Sequence, residues 1–176
     1  MPSASRRQAR IVALQTLYEI DSTTHAVAEV LERNLEEPTS ESTGVIESLD
    51  ADGRAFATML VEGVLANIDE LDRIIVGSAP NWPIDQMSRI DKGILRLAIF
   101  EILFDNKVPL KAAINEAVEL GKRFGSDSSS RFINGVLGTI ADMRQAQGRR
   151  KPQKNGEHQP AGAKSAIQNP QSEIVE

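Results

Sequence analysis

Cysteine is absent from this 176-residue chain, and other chemically specialised residues are scarce. The lack of cysteine excludes disulfides, thiolate nucleophiles and cysteine-ligated metals. The two histidines, His25 and His158, stand far apart and have no companions at metal-ligand spacing. Phosphate-binding glycine loops, dinucleotide fingerprints and the nucleophile elbow are also missing. We therefore expect a protein that is not an enzyme and that uses no cofactor and no metal.

Long hydrophobic runs are missing as well. No apolar segment reaches the roughly 20 residues that a membrane-spanning helix needs, and residues 1–10 lack the apolar core of a signal peptide. We therefore expect a cytoplasmic protein that does not enter a membrane. The formal net charge of -5 argues against a protein that coats nucleic acid through bulk charge. A local basic cluster is nevertheless present near the N-terminus, at Arg6, Arg7 and Arg10.

Helical periodicity is what the sequence has in abundance. Apolar residues recur at three- and four-residue spacing, and no stretch alternates in the manner of a strand. The fold class is therefore predicted to be all-α. We expect about seven helices, over residues 6–20, 24–35, 52–67, 68–77, 87–104, 109–124 and 129 into the 140s.

The distribution of proline and of low-complexity sequence predicts the domain organisation. A segment with two prolines, 79–83, separates two helical subdomains, 6–78 and 79–147, each close to a three-helix bundle. Together they form a single predicted helical domain over 1–147. Residues 39–50 are rich in Ser, Thr, Gly and acid, which predicts a loop. From residue 148 onward apolar periodicity is lost, so 148–176 is predicted to be a disordered tail.

Local signals predict where several helices begin and end. Ser5 and Ser88 each precede a helical pattern and are predicted N-caps. Gly125 follows the helix over 109–124 and is predicted to adopt the left-handed C-cap conformation.

Two further expectations concern helix faces. Gly135 and Gly138, three residues apart, are predicted to let another helix approach closely. Arg96 and Glu101 interrupt the nearly apolar helix over 87–104, and we interpret them as its ordinary polar edge. The helix itself is predicted to lie at the centre of the bundle.

The arginines of the first helix admit two interpretations. Cations oppose the positive end of the helix dipole, at a cost of roughly 0.3 to 1 kcal/mol for each exposed charge. The cluster is either a solvated basic turn or a contact for an anion such as phosphate. Phe132 also has two interpretations. It begins an apolar stripe, which favours core packing, and the alternative is an aromatic contact for RNA.

Several segments together resemble the NusB family of transcription antitermination proteins. They are RRQAR at 6–10 with ALQTLY at 13–18, MSRIDKGILRLA at 87–98, VPLKAAINEAVELGKRFG at 108–125 and RFINGVL at 131–137. The resemblance implies two three-helix subdomains and a role in the RNA polymerase antitermination complex. It also implies two partners, a single-stranded boxA-type RNA in nascent ribosomal transcripts and the ribosomal protein that doubles as NusE.

The resemblance assigns RNA-contacting residues individually. Arg6, Arg7 and Arg10 take the places of the family's arginine motif. Ser128 and Phe132 occupy hairpin positions that lie near RNA, which puts them beside the arginine cluster. The chain departs from the family at Ser128, where members often carry an acidic residue.

The same resemblance places Tyr18 and Asp91 where the family meets NusE. One alternative function remains open, a helical protein-interaction scaffold that is a homodimer and hides its basic face. Another is the related helical domain that precedes some RNA methyltransferases, which the absence of a cofactor-binding glycine motif disfavours. Both a monomer and a homodimer remain open for the free protein.

Overall fold

Seven α-helices make up the part of the chain that this computed structural model describes, residues 3–36 and 48–149. They are α1 (Ser3–Ser22), α2 (Val27–Glu36), α3 (Ala51–Ala66), α4 (Ile68–Ser78), α5 (Arg89–Ile99), α6 (Leu110–Phe124) and α7 (Ser129–Arg149). A short 3-10 turn over Ile84–Gln86 precedes α5, and a π-helical segment over Phe100–Asp105 continues it. The described residues include no strand, so the predicted all-α class is confirmed.

Two predicted irregular segments fall largely outside these ranges. Most of the loop expected at 39–50 and nearly all of the tail expected from 148 lie outside the described residues. Helix α7 itself extends to residue 149. Within residues 3–36 and 48–149, no helix is long and apolar enough to cross a membrane.

Helix α5 lies at the centre of the core. It packs against α1, α4, α6 and α7, and the side chains of Ile94, Leu95 and Ile99 are fully buried. This confirms the central position predicted from its apolar sequence. One connected hydrophobic cluster includes residues from both 6–78 and 79–147. The division into two subdomains stays a prediction.

The chain after α5 continues as a wider helix than the sequence predicted. The Asn106 N–H donates to the Glu101 carbonyl oxygen at 3.0 Å, an i to i+5 bond of the π type. Asn106 ends the segment with a left-handed φ of 51°. A regular α-helix was expected to Phe104, because apolar periodicity does not distinguish the two kinds of helix. The wider segment carries Glu101, which is 2% exposed.

Of the two predicted N-caps, the structure confirms Ser88 but not Ser5. The Ser88 hydroxyl accepts from the Asp91 N–H at 3.0 Å, which confirms the predicted N-cap of α5. The prediction for Ser5 is wrong, because Ser5 lies inside α1. Its hydroxyl instead donates to Asp50 Oδ1 at 3.0 Å, and Asp50 caps α3 by accepting from the Gly53 N–H.

Helices α6 and α7 form the predicted helical hairpin. Their buried faces meet through Ala113, Ala117, Leu120, Ile133, Val136 and Leu137. Gly121 allows this contact, since a Cβ there would lie 2.8 Å from Ile133 Cδ1 and 3.3 Å from the Ser130 backbone. The hairpin fixes the position of the loop over 125–128.

Two glycine predictions in this hairpin are wrong. Gly125 has φ -88° and ψ -172°, which is not left-handed. Glycine is needed there for space, because a Cβ would overlap the Ser129 side chain and lie 2.7 Å from the Gly121 carbonyl oxygen. An added Cβ at Gly135 or Gly138 would meet nothing within 4 Å, so no helix approaches there among the described residues.

Candidate nucleic-acid interface

Arg7 is the most exposed arginine of the cluster Arg6, Arg7 and Arg10 on α1. Its Nε and Nη2 donate to the two carboxylate oxygens of Glu116 on α6, at 2.9 and 2.7 Å. The Arg7 side chain is 51% exposed, whereas that of Glu116 is only 16% exposed. The hydrogen bonds between them raise the pKa of the Arg7 guanidinium and lower the pKa of the Glu116 carboxyl. The guanidinium is therefore held in a fixed orientation at the protein surface.

Arg10 has a different environment from Arg7. It is 4% exposed, and its Nε and Nη2 donate to the Glu101 carboxylate at 2.9 and 2.6 Å. Glu101 is not the ordinary polar edge that the sequence suggested, because it is buried and forms this ion pair with α1. Arg10 Nη1 also lies 3.8 Å from Glu116 Oε2. These contacts hold α1 against α6 and the end of α5, and an RNA contact by Arg10 stays a prediction.

Arg96, like Glu101, is not the ordinary polar edge residue that the sequence suggested. Its Nε and Nη2 donate to the carboxylate of Asp72 on α4, at 2.7 and 2.8 Å, and its side chain is 11% exposed. Arg96 on α5 and Glu101 in the π-helical segment after it therefore both form ion pairs with other helices. These pairs fix the packing of α4 and α1 on α5.

Phe56 on α3 joins the other two arginines of the cluster. The Arg6 Cζ lies 5.2 Å and the Arg10 Cζ 5.4 Å from the Phe56 ring centroid, both within cation-π range. Arg6 is partly buried by this contact. The three predicted arginines thus lie together but are held by different partners.

Ser128 and Phe132 line a cavity of about 300 Å³. The residues around this cavity form a second group, in addition to the arginine cluster. Asp91, Trp82 and Arg131 also line this cavity. The ring centroids of Trp82 and Phe132 are 5.6 Å apart in an edge-to-face contact. Asp91 is 9% exposed, and its Oδ1 is buried with no hydrogen-bond partner among residues 3–36 and 48–149. The cavity thus combines an aromatic wall with an unpaired acceptor.

Tyr18 lies on an adjoining surface. It is 44% exposed and lines a cavity of about 350 Å³ together with Ile90 and Phe124. Gln15 lines the same cavity, and its Oε1 is buried with no hydrogen-bond partner in the part of the chain that the structure describes. Since Ile90 precedes Asp91, the two residues expected to meet a protein partner are on neighbouring faces of the molecule.

Helix α6 separates the arginines from the second group. Arg7 is bound to Glu116 in the middle of the helix, whereas Ser128 follows its C-terminal end. Phe124, at that end, is eight residues and about 12 Å beyond Glu116 along the axis. Ser128 and Phe132 line a cavity whose lining residues include none of the three arginines. Their place beside the arginine cluster stays a prediction. A ligand that reached both groups would extend along α6.

The chain can now be compared with known proteins. The NusB family model matches residues 7–142. This chain belongs to the NusB family. The transcription antitermination protein NusB of Chloroflexus aggregans is 50% identical over 140 residues, which cover 78% of this chain and 87% of that protein. NusB of a Roseiflexus species is 52% identical over 137 residues, covering 77% and 90%.

Solved NusB structures share the fold. Thermotoga maritima NusB superposes with a TM-score of 0.68 at 27% identity, covering 81% of this chain and 92% of that one. A structure described as antitermination factors NusB and NusE in complex with dsRNA has a TM-score of 0.69 at 25% identity, covering 81% and 99%. The family resemblance carried by the sequence segments is thus confirmed.

Two residues of the NusB-like surface were missed by the sequence reasoning. Trp82 lies in the proline-rich break, where the only sequence signal is that a lone tryptophan between two prolines cannot belong to a helical core stripe. Arg131 was noted only as part of a family segment. No group of three or more His, Asp or Glu side chains within the described ranges is arranged to hold a metal ion.

Proposed function

We propose that this NusB family member binds single-stranded boxA-type RNA of nascent ribosomal transcripts and pairs there with ribosomal protein NusE in the RNA polymerase antitermination complex. Its contribution is binding and not catalysis. Family membership and the likeness to a NusB–NusE structure with RNA support this assignment. In this chain, the observation that carries it is the exposed Arg7 guanidinium held by Glu116.

Arg7 has the geometry of a prepared phosphate contact. A guanidinium carries five N–H donors in a fixed fork, and Glu116 occupies the edge formed by Nε and Nη2. Nη1 and the second Nη2 hydrogen remain for another acceptor, which suits a phosphate oxygen pair. Because Glu116 already restricts the side chain, binding orders Arg7 at a lower entropic cost.

The protein residues predicted to bind RNA divide into those that contact the strand and one that holds the others in position. Arg6 and Arg7 are proposed to contact phosphates, and Ser128 and Phe132 are proposed to contact the strand beyond the end of α6. Arg10 is proposed chiefly to support them, since its buried ion pair with Glu101 fixes α1. A single strand that follows α6 would reach both groups.

The NusE surface is proposed to include Tyr18 and Asp91. Tyr18 offers an exposed ring with a hydroxyl, a residue type that is enriched at protein interfaces. The buried unpaired oxygens of Gln15 and Asp91 border the same region. Buried acceptors without partners are costly, so donors from NusE would compensate them.

A reciprocal pair of variants tests the assignment of the two surfaces. Arg7→Ala is expected to weaken binding of a fluorescein-labelled single-stranded boxA-type RNA, measured by anisotropy, and to leave NusE pull-down unchanged. Tyr18→Asp places a charge on an apolar contact and is expected to weaken NusE pull-down more than RNA binding.

Controls separate these effects from loss of fold. Arg73→Ala removes an exposed arginine on α4, 72% exposed, and should bind RNA as the parent chain does. Circular dichroism should show the same helicity for all three variants. A duplex of the same sequence tests the preference for a single strand. Unchanged RNA affinity for Arg7→Ala would contradict the proposed contact.

A further inference from the structure

An exposed tryptophan beside the α6–α7 loop has no role in the proposed contacts. Trp82 is the only tryptophan of the sequence and is 57% exposed. Its backbone N–H donates to the Ala79 carbonyl oxygen at 3.0 Å, and Pro83 follows it directly. The hydrogen bond and the fixed φ of proline restrict the segment that carries the ring. A large apolar ring is thus displayed to solvent from a rigid turn.

The ring is also held from the side. Phe132 makes an edge-to-face contact with it, with the ring centroids 5.6 Å apart and the planes at 63°. Aromatic pairs prefer this geometry, so Phe132 fixes the orientation of Trp82 without covering it. More than half of the Trp82 surface remains accessible, next to the cavity of about 300 Å³. The space suits a flat aromatic ligand.

We propose that Trp82 and Phe132 form a stacking site for one nucleobase of the RNA strand, with Arg131 binding the adjoining phosphate. The inference rests on the proposed RNA-binding function. Single-stranded nucleic acids are bound by aromatic platforms next to cations, and every base offers a π-face. Arg131 is exposed and lines the same cavity, and it makes no ion pair or hydrogen bond within the described part of the chain.

Asp91 lies at the edge of this stacking site. It lines the cavity together with Trp82. Because Asp91 also borders the proposed NusE surface, the base lies where RNA and protein partner adjoin.

The single tryptophan makes the stacking site directly measurable. A labelled single-stranded RNA is titrated into the full chain while RNA anisotropy and Trp82 fluorescence are both recorded. Stacking is expected to quench the tryptophan emission in step with the anisotropy change. Trp82→Ala is expected to lower affinity roughly 5- to 150-fold, the equivalent of about 1 to 3 kcal/mol for one stacked base.

Further variants and a modified RNA serve as controls for the stacking site. Trp82→Phe keeps a ring and should retain most of the affinity. Met143→Ala, which shortens an exposed apolar side chain at a different site, on α7, should have no effect. With an RNA whose bases are replaced by abasic sites, Trp82→Ala and the parent chain should bind equally, since no base is left to stack.

Three outcomes would overturn the stacking site, and they differ in what they imply for the wider function. If RNA binds without a change in tryptophan emission and Trp82→Ala binds as well as the parent, the site is wrong but RNA binding stands. If no RNA binds at all, both proposals fail. If Trp82→Ala weakens NusE binding and leaves RNA affinity unchanged, the cavity belongs to the protein partner.

Discussion

Arg7 and Arg10, three residues apart on α1, are each held by a carboxylate fork but differ sharply in exposure. The Arg7 side chain is 51% exposed and that of Arg10 is 5% exposed. An exposed ion pair contributes little to stability and leaves donors for a ligand. A buried pair is different, because loss of one partner leaves an unpaired charge in the protein interior, which is strongly destabilising. We therefore propose that Arg7 serves ligand binding and that Arg10 chiefly serves folding.

This difference predicts losses of stability of very different size for two alanine substitutions. Arg10→Ala should lower the free energy of unfolding by about 3 to 5 kcal/mol, because Glu101 stays buried and unpaired. Arg7→Ala should lower it by less than about 1 kcal/mol. Urea denaturation followed by circular dichroism measures both. Equal losses would show that the burial difference has no energetic consequence, and recovery of stability in Arg10→Met combined with Glu101→Leu would support the pairing.

The Arg7–Glu116 pair predicts a pH dependence. Since its folded-state pKa is lowered, the Glu116 carboxyl stabilises the fold above its ordinary pKa of about 4.3. That contribution is lost as the pH falls below this value and through the lower folded-state pKa. Glu116→Gln should remove this part of the acid destabilisation when urea midpoints are measured from pH 7 to pH 3. Glu29→Gln, an exposed change on α2, should leave the profile as it is in the parent, and an unaltered profile for Glu116→Gln would refute the assignment.

At the scale of elements, the α6–α7 hairpin sets the position of the second group. Gly121 and Gly125 allow the two helices and their loop to pack without a Cβ between them. The Ser129 hydroxyl accepts from the Ser126 N–H at 2.8 Å and so closes the loop. Ser128 and Phe132 are presented by this compact turn. Changes that force it apart should affect both stability and ligand binding.

Two glycine substitutions in the hairpin test this close packing. Gly125→Ala should destabilise the fold by about 1 to 3 kcal/mol, because its Cβ would overlap Ser129 and crowd the Gly121 carbonyl. Gly135→Ala should be neutral or stabilising by about 0.5 to 1 kcal/mol, since that helical position faces open space. Thermal or urea unfolding of the two variants gives the comparison. The same sign for both would contradict the packing described.

The elements also show which features the sequence can predict. The α6 and α7 stripes and the Ser88 cap depend on residues within a few positions of one another, so periodicity and capping rules found them. The Arg10–Glu101 pair joins residues 91 positions apart, and the Arg7–Glu116 pair joins residues 109 apart. Such contacts depend on how helices pack, which no local pattern determines. For the same reason the sequence does not determine how far Ser128 and Phe132, which line one cavity, lie from the arginines.

At the scale of the whole molecule, an acidic chain presents a few selected cations along one helix. With a net charge of -5, non-specific attraction to RNA is weak, and the proposed RNA binding depends on individually positioned residues. The arginines, the α6–α7 loop and the Tyr18 face lie on one continuous framework of α1, α5 and α6. RNA and a protein partner that bind on adjoining faces of a rigid framework can favour each other's binding.

The most direct test of this account is the affinity for a single-stranded boxA-type RNA, measured with and without NusE and against a scrambled strand. We predict tighter binding of the boxA-type strand than of the scrambled one, and a further gain when NusE is present. Light scattering on the same samples should show a 1:1:1 complex. Equal affinity for both strands with no effect of NusE, in a homodimer that neither ligand opens, would contradict the account and favour a protein-interaction scaffold.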